Sequence, residues 1–289
     1  MKNLFLILFL FSLGLTTQKA NAQNPAAFQI YNQKGKKVKV NAFLKALENN
    51  DIILFGELHD NPISHWLQLK TAQHLYGKSP ISMGAEMLET HQQEALDQYL
   101  KGEITQAGLD SLTTLWPNYK TDYKPLVDFS KKNQIPFVAT NIPREYASYV
   151  YRNGLEALEN YLDSATKREV APLPIAYDPN LSNYKAMSDM MAHAPNPNLP
   201  KAQAIKDATM AYFILQHIKE HPKLFLHFNG DYHSKNYEGI YWYLKNADDN
   251  LKIITISTVE QGNVHQLEEA YKGQADFILV VDSEMTKTH

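Results

Sequence analysis

The stretch IILFGELHDNPISHWLQLKTAQHLY, residues 52–76, changes character twice in 25 positions. Ile52 to Phe55 is a short apolar run with no polar alternation, which suits a strand covered on both faces. Asn61-Pro62 then gives a good N-cap followed by proline at the first helical position, so a helix is predicted from Pro62 to Tyr76 with a stop near Gly77. Between strand and helix lies the polar turn Gly56-Glu57-Leu58-His59-Asp60.

The same alternation recurs along the chain. Further apolar runs read as buried strands at Ile81 to Gly84, Ile135 to Ala139, Leu224 to Phe228, Ile253 to Ile256 and Phe277 to Val281. Helix-like stretches lie at Thr90 to Leu100, Pro125 to Asn133, Lys201 to Glu220 and Ser234 to Asn246. Strand and helix in turn imply an α/β domain with a largely parallel sheet flanked by helices. Residues 144–200 interrupt the pattern with helical material and two proline clusters, and read as a lid-like insertion of helix and loop over the sheet.

Residues 1–22 combine Lys2, an apolar stretch from Leu4 to Leu15 and Ala20-Asn21-Ala22. These are the charged, apolar and small-x-small parts of a cleavable signal peptide. Those twelve residues span roughly 18 Å as a helix, short of the ~30 Å hydrocarbon core. The expectation is cleavage before Gln23, one domain over 23–289, and a periplasmic or secreted protein. The absence of cysteine excludes disulfides, thiolate metal sites, a cysteine nucleophile and a lipid anchor through cysteine. Removing Lys2 and Lys19 leaves 26 basic against 31 acidic residues, a balance that argues against nucleic acid.

Ligands of an open parallel sheet bind beyond the carboxyl ends of its strands. There this sequence places Glu57 and His59, Glu86 and Glu89, Thr140 to Arg144, and Asn229 to His233. Two histidines, carboxylates and Arg144 are thereby expected in one cleft, with His65 facing it from the first turn of the helix after Pro62. His59, Glu86 and His233 suit a borderline divalent metal such as Zn or Mn, or a metal-free pair of general base and histidine. There is no phosphate loop and no nucleophile elbow. The chain also carries 17 tyrosines and eight methionines, and the segment Tyr177, Tyr184, Met187, Met190, Met191 and His193 has the composition of a haem-pocket wall. Tyr184 and His193 are the compositional choices there, with Tyr123 and Tyr119 as further phenols.

Taken in order, ILFGELHDNPISHWLQ (53–68), GAEMLETHQQEALDQYLKG (84–102), WPNYKTDYKPL (116–126), ATNIPRE (139–145), AQAIKDATMA (202–211) and HFNGDYHSKNYEGI (227–240) resemble the ChaN-like family of bacterial haem-binding uptake proteins. The resemblance implies an α/β core, haem binding at an iron-acquisition step, association with an outer-membrane haem receptor and, as in some members, a homodimer enclosing stacked haems. In that arrangement a tyrosine of one subunit ligates iron and a histidine of the other contacts the propionates. The motif matches fall on Glu57, His59 and His233 and do not locate the tyrosine. Members are often lipid-anchored, whereas this chain has no cysteine to acylate. The turn, the glutamate after the second strand and the late histidine also resemble a wider superfamily with erythromycin-esterase-like hydrolases and metal-dependent proteases. On that alternative Glu57, His59, Glu86 and His233 are catalytic.

Overall fold

The computed structural model describes residues 26–190, 196–221 and 223–289. The signal-peptide segment, Met191 and His193 lie outside them. Among the described residues eight strands form one mixed sheet: β1 (Phe28–Asn32), β2 (Lys37–Val38), β3 (Ile52–Glu57), β4 (Ile81–Glu89), β5 (Phe137–Asn141), β6 (Leu224–Gly230), β7 (Ile253–Gln261) and β8 (Phe277–Asp282). Their order is β2-β1-β8-β7-β3-β6-β4-β5. The six strands from β8 to β5 are parallel, and β1 and β2 complete the far edge antiparallel.

Burial on both faces explains why these runs lack polar alternation. On β3, Ile53 and Phe55 enter one core, while Ile52 and Leu54 enter the opposite one. Each such side chain, fully withdrawn from water, contributes about 1.5–3 kcal/mol before chain entropy is charged. The first face is covered by α1 (Val40–Ala46), α2 (Pro62–Tyr76), α3 (Gln93–Lys101), α4 (Gln106–Leu112) and α5 (Lys124–Asn133). Helix α6 (Arg144–Asn153) and the short α7 (Leu158–Tyr161) build a satellite core against α9 (Leu199–Glu220). Helix α8 is Ser182–Met190, and α9 covers the second face together with α10 (Ile240–Ala247).

The start of α2 forms as expected: Asn61 Oδ1 accepts from the backbone N–H of Ile63 and Ser64, both at 3.1 Å. Other boundaries move. Strand β4 continues past Gly84 to Glu89 because Met87 and Leu88 are themselves buried, with an irregular register between Ala85 and Glu89. Glu86 therefore projects from a strand, not from a loop. The third predicted strand starts two residues late, at Phe137, after Pro136, which has no N–H for the ladder. The helix predicted from Ser234 begins only at Ile240, since 231–233 and 235–237 form separate 3-10 turns. At the β5 edge, the Gln93 amide donates to Phe137 O at 3.0 Å and accepts from Ala139 N at 2.6 Å.

Candidate functional site

Two glycines bring the strand ends together. A Cβ on Gly56 would meet Ile256 O at 2.8 Å, and one on Gly230 would meet the His59 ring at 2.8 Å and Glu86 Oε2 at 3.4 Å. Glycine at both positions lets β3, β6 and their turns pack against these groups.

The Gly56–Asp60 turn carries a buried cluster. Glu57 is 1% exposed, and its Oε1 lies 2.8 Å from His59 Nδ1 and accepts from the Tyr123 hydroxyl at 2.7 Å. Its Oε2 accepts from Gln68 Nε2 at 2.5 Å. The buried His65 ring stands behind, with Nε2 3.0 Å from His59 O and Nδ1 3.6 Å from Glu57 Oε2. Asn118 Nδ2 donates to His59 O at 2.9 Å and to Asp122 Oδ2 at 2.7 Å. Burial works to lower the His59 pKa, but the Glu57 hydrogen bond and the Glu86 charge outweigh it and leave the imidazole raised.

A second buried cluster lies across the same strand ends. Glu86 Oε2 accepts from Gly230 N at 2.6 Å, and Glu86 Oε1 lies 3.1 Å from His233 Nε2. His233 Nδ1 lies 2.5 Å from Asp207 Oδ1, and Asp207 Oδ2 accepts from the Tyr184 hydroxyl at 2.8 Å. Burial opposes a charge on His233, yet the two carboxylates push its pKa up to about 9. Glu86 is driven the other way: burial would raise it, and the His233 charge holds it far below the carboxylate range. Asp207 remains raised because burial dominates over its histidine partner. The arrangement is a protonated imidazole held between carboxylates, Glu86 being the more fully ionised.

These clusters form the floor of an open cleft of about 930 Å³. His59, Glu86 and His233 share it, with Glu57 and Arg144, as the strand-end reading expects. Arg144 and Met187 bring the 144–200 segment to its wall, beside Trp116, Ile142, Val259 and Tyr271. Lys206, Tyr232 and Lys235 complete another side, with the Lys235 ammonium 3.4 Å from the Tyr232 ring centroid. Trp116 meets His59 edge to face at 4.9 Å.

His65 and Tyr184 lie behind the floor. The Tyr184, Tyr123 and Tyr119 side chains are all buried, and burial holds each phenol well above its ordinary pKa. Among the described residues no group of three histidine or carboxylate side chains is arranged as a metal-ligand set. Sequence reading missed Gln68, Asp122 and Asp207. Asp207 had a visible signal, as the lone acid in the apolar face of AQAIKDATMA (202–211); Gln68 and Asp122 have none, being ordinary polar residues on helical turns.

A doubly covered parallel sheet with a histidine–carboxylate cleft at its carboxyl edge defines the class. The chain matches the haem-binding uptake family of the Tiki superfamily, ChaN, over residues 43–244, and it belongs to that family. Among solved structures it resembles ChaN of Campylobacter jejuni, described for cofacial haem binding: 20% identity, TM-score 0.66, 88% of this chain and 96% of that one. A succinoglycan biosynthesis protein shares the fold at 10% identity and TM-score 0.52, covering 83% of this chain and 89% of its own. So does a Bacillus cereus protein at 10% and 0.51, covering 89% and 95%. No curated protein matches the chain.

Proposed function

We propose that this chain is an exported haem-binding protein of haem and iron uptake. The observation that carries the reading is the wall of the cleft. A porphyrin presents a large flat apolar face and two carboxylates, and Trp116, Ile142, Met187, Val259 and Tyr271 stand in one cleft with Arg144, Lys206 and Lys235. The volume of about 930 Å³ falls within the range of small-molecule sites. The donor set therefore fits haem: apolar side chains for the face, cations for the propionates, and histidine and phenol side chains at the rim. Iron held there gives the cleft its redox-active cargo. The protein's own part is to bind it, orient it and exclude water.

On this reading Tyr184, Tyr123 and Tyr119 act from behind the wall, the first two by holding Asp207 and Glu57. The phenols that can touch the guest are Tyr232 and Tyr271. Titrating the chain from Gln23 onward with haemin should give a saturable Soret band, and Arg144→Glu should weaken it. Weak, non-saturating association would refute the proposal. Export is tested separately: intact mass from the native host should correspond to a chain beginning at or near Gln23. Dimer closure over the cleft and docking to an outer-membrane receptor belong to the same reading. A rise in oligomer mass on haemin addition would test the first.

A further inference from the structure

Helix α9 closes on HIKEH (217–221), two histidines four positions apart. Its last helical bond runs from His221 N to His217 O at 2.8 Å, so both side chains stand on one face, one turn apart. The rings meet there, with centroids 4.8 Å apart and planes tilted by 44°. His217 is half-buried and reaches the sheet, its Nε2 lying 2.8 Å from the Ser82 hydroxyl of β4. His221 is exposed. Both line a groove of about 390 Å³ between α3 and α9, together with Gln93, Asp97 and Glu220. Ser82 is the second residue of β4 and stands four positions before Glu86. The pair therefore sits about 13 Å along the strand from the cleft, toward the opposite end of the sheet.

These imidazoles differ from those of the cleft in what surrounds them. His59, His65 and His233 each stand against a carboxylate. Among the described residues, neither His217 nor His221 does. Nor is His217 a charged cap for α9, because burial and the neighbouring His221 hold its pKa down to about 4. A neutral ring keeps a lone pair. Ser82 takes one nitrogen of His217 and leaves Nδ1, and ligating histidines are commonly oriented in this way through their other nitrogen. His221 has no hydrogen-bond partner at either nitrogen among the described residues. An ion bonded to one nitrogen of each ring at about 2.0–2.1 Å holds the ring centres about 5 Å apart, close to the separation seen. The carbonyls that end α9 favour positive charge at that end, and Asp97 and Glu220 border the same groove.

We propose that His217 and His221 form a metal site apart from the cleft, a two-histidine chelate for a divalent ion of the zinc and copper class. Imidazole donors suit those ions, whereas magnesium and calcium want oxygen. With two protein ligands the other coordination positions stay open to water, so the ion is exchangeable. The site does not depend on what the cleft binds. The test titrates the chain from Gln23 onward, with no added histidines, with Zn²⁺ by calorimetry. Binding should saturate at one ion per chain, and an excess of Mg²⁺ should not compete. His221→Ala, a change at an exposed position, should weaken Zn²⁺ binding tenfold or more, and His217→Ala should do the same. His74→Ala, which removes a histidine paired with Glu48, should leave it unchanged. Paramagnetic resonance of bound Cu²⁺ should show two nitrogen ligands in the wild type and one in His221→Ala. No saturable Zn²⁺ binding by the wild type, an affinity untouched by His221→Ala, or an equal nitrogen count in the two proteins would overturn the proposal.

Discussion

Replacing Asp207 by Asn removes one of the two carboxylates that hold the proton on His233, while preserving shape and the acceptor for Tyr184. His233 moves from an ordinary 6.5 to about 9 in the folded protein. At about 1.4 kcal/mol per tenfold change in proton affinity, that is about 3 kcal/mol of stability. Because the folded value is the raised one, this contribution is complete below about pH 6.5 and is lost as the pH climbs through about 9. Glu86 holds part of that shift and stays in place, so Asp207→Asn should cost only a share of it, about 1–3 kcal/mol at pH 6. The deficit should shrink by pH 9.5, where the imidazole has lost its proton in both proteins. Urea denaturation at a series of pH values measures it, with the midpoint read at constant slope. A loss below 1 kcal/mol, or one equal at pH 6 and pH 9.5, would refute the ion-pair account.

Tyr123→Phe leaves Glu57 without one buried donor and should destabilise by about 1–3 kcal/mol, read as a fall in melting temperature. Gly230→Ala drives a methyl group into His59 and Glu86, and should lower haemin affinity by tenfold or more while circular dichroism stays unchanged. Paired Arg144→Glu and Lys235→Glu substitutions should weaken haemin binding more at low than at high salt, since they reverse cations offered to the propionates. Equal losses at both salt concentrations would count against those cations.

Much of the parallel sheet was legible because its strands are buried on both faces, so Ile52 to Phe55 or Leu224 to Phe228 could be little else. The edge pair was not. Strand β1 mixes Gln29 and Asn32 with Ile30 and Tyr31, and β2 has only Lys37 and Val38, too little pattern to announce a strand. For the site, strand-end position was enough to gather His59, Glu86, His233 and Arg144 into one cleft. It could not show which groups face the cleft and which stand behind it. That division depends on pairings distant in sequence, such as Tyr123 with Glu57 and Tyr184 with Asp207, which no local spacing encodes. Thr288 reaching Asp122 across 166 positions is the extreme case.

The Gln93 side chain has a meaning beyond the stability of β5. A primary amide offers one N–H and one C=O with the geometry of a peptide group, and here it occupies the outward Phe137 carbonyl and Ala139 N–H. It serves as a counterfeit ninth strand one residue long. Exposed edges invite pairing with other chains, and natural sheets blunt them. With that seal on one side and a two-residue strand on the other, the described ladder offers little template for growth. Copies of this chain that meet are thereby steered toward side-chain surfaces, with their sheets kept separate, and the open cleft at the sheet's carboxyl edge can stay exposed without inviting the fibrous route to aggregation.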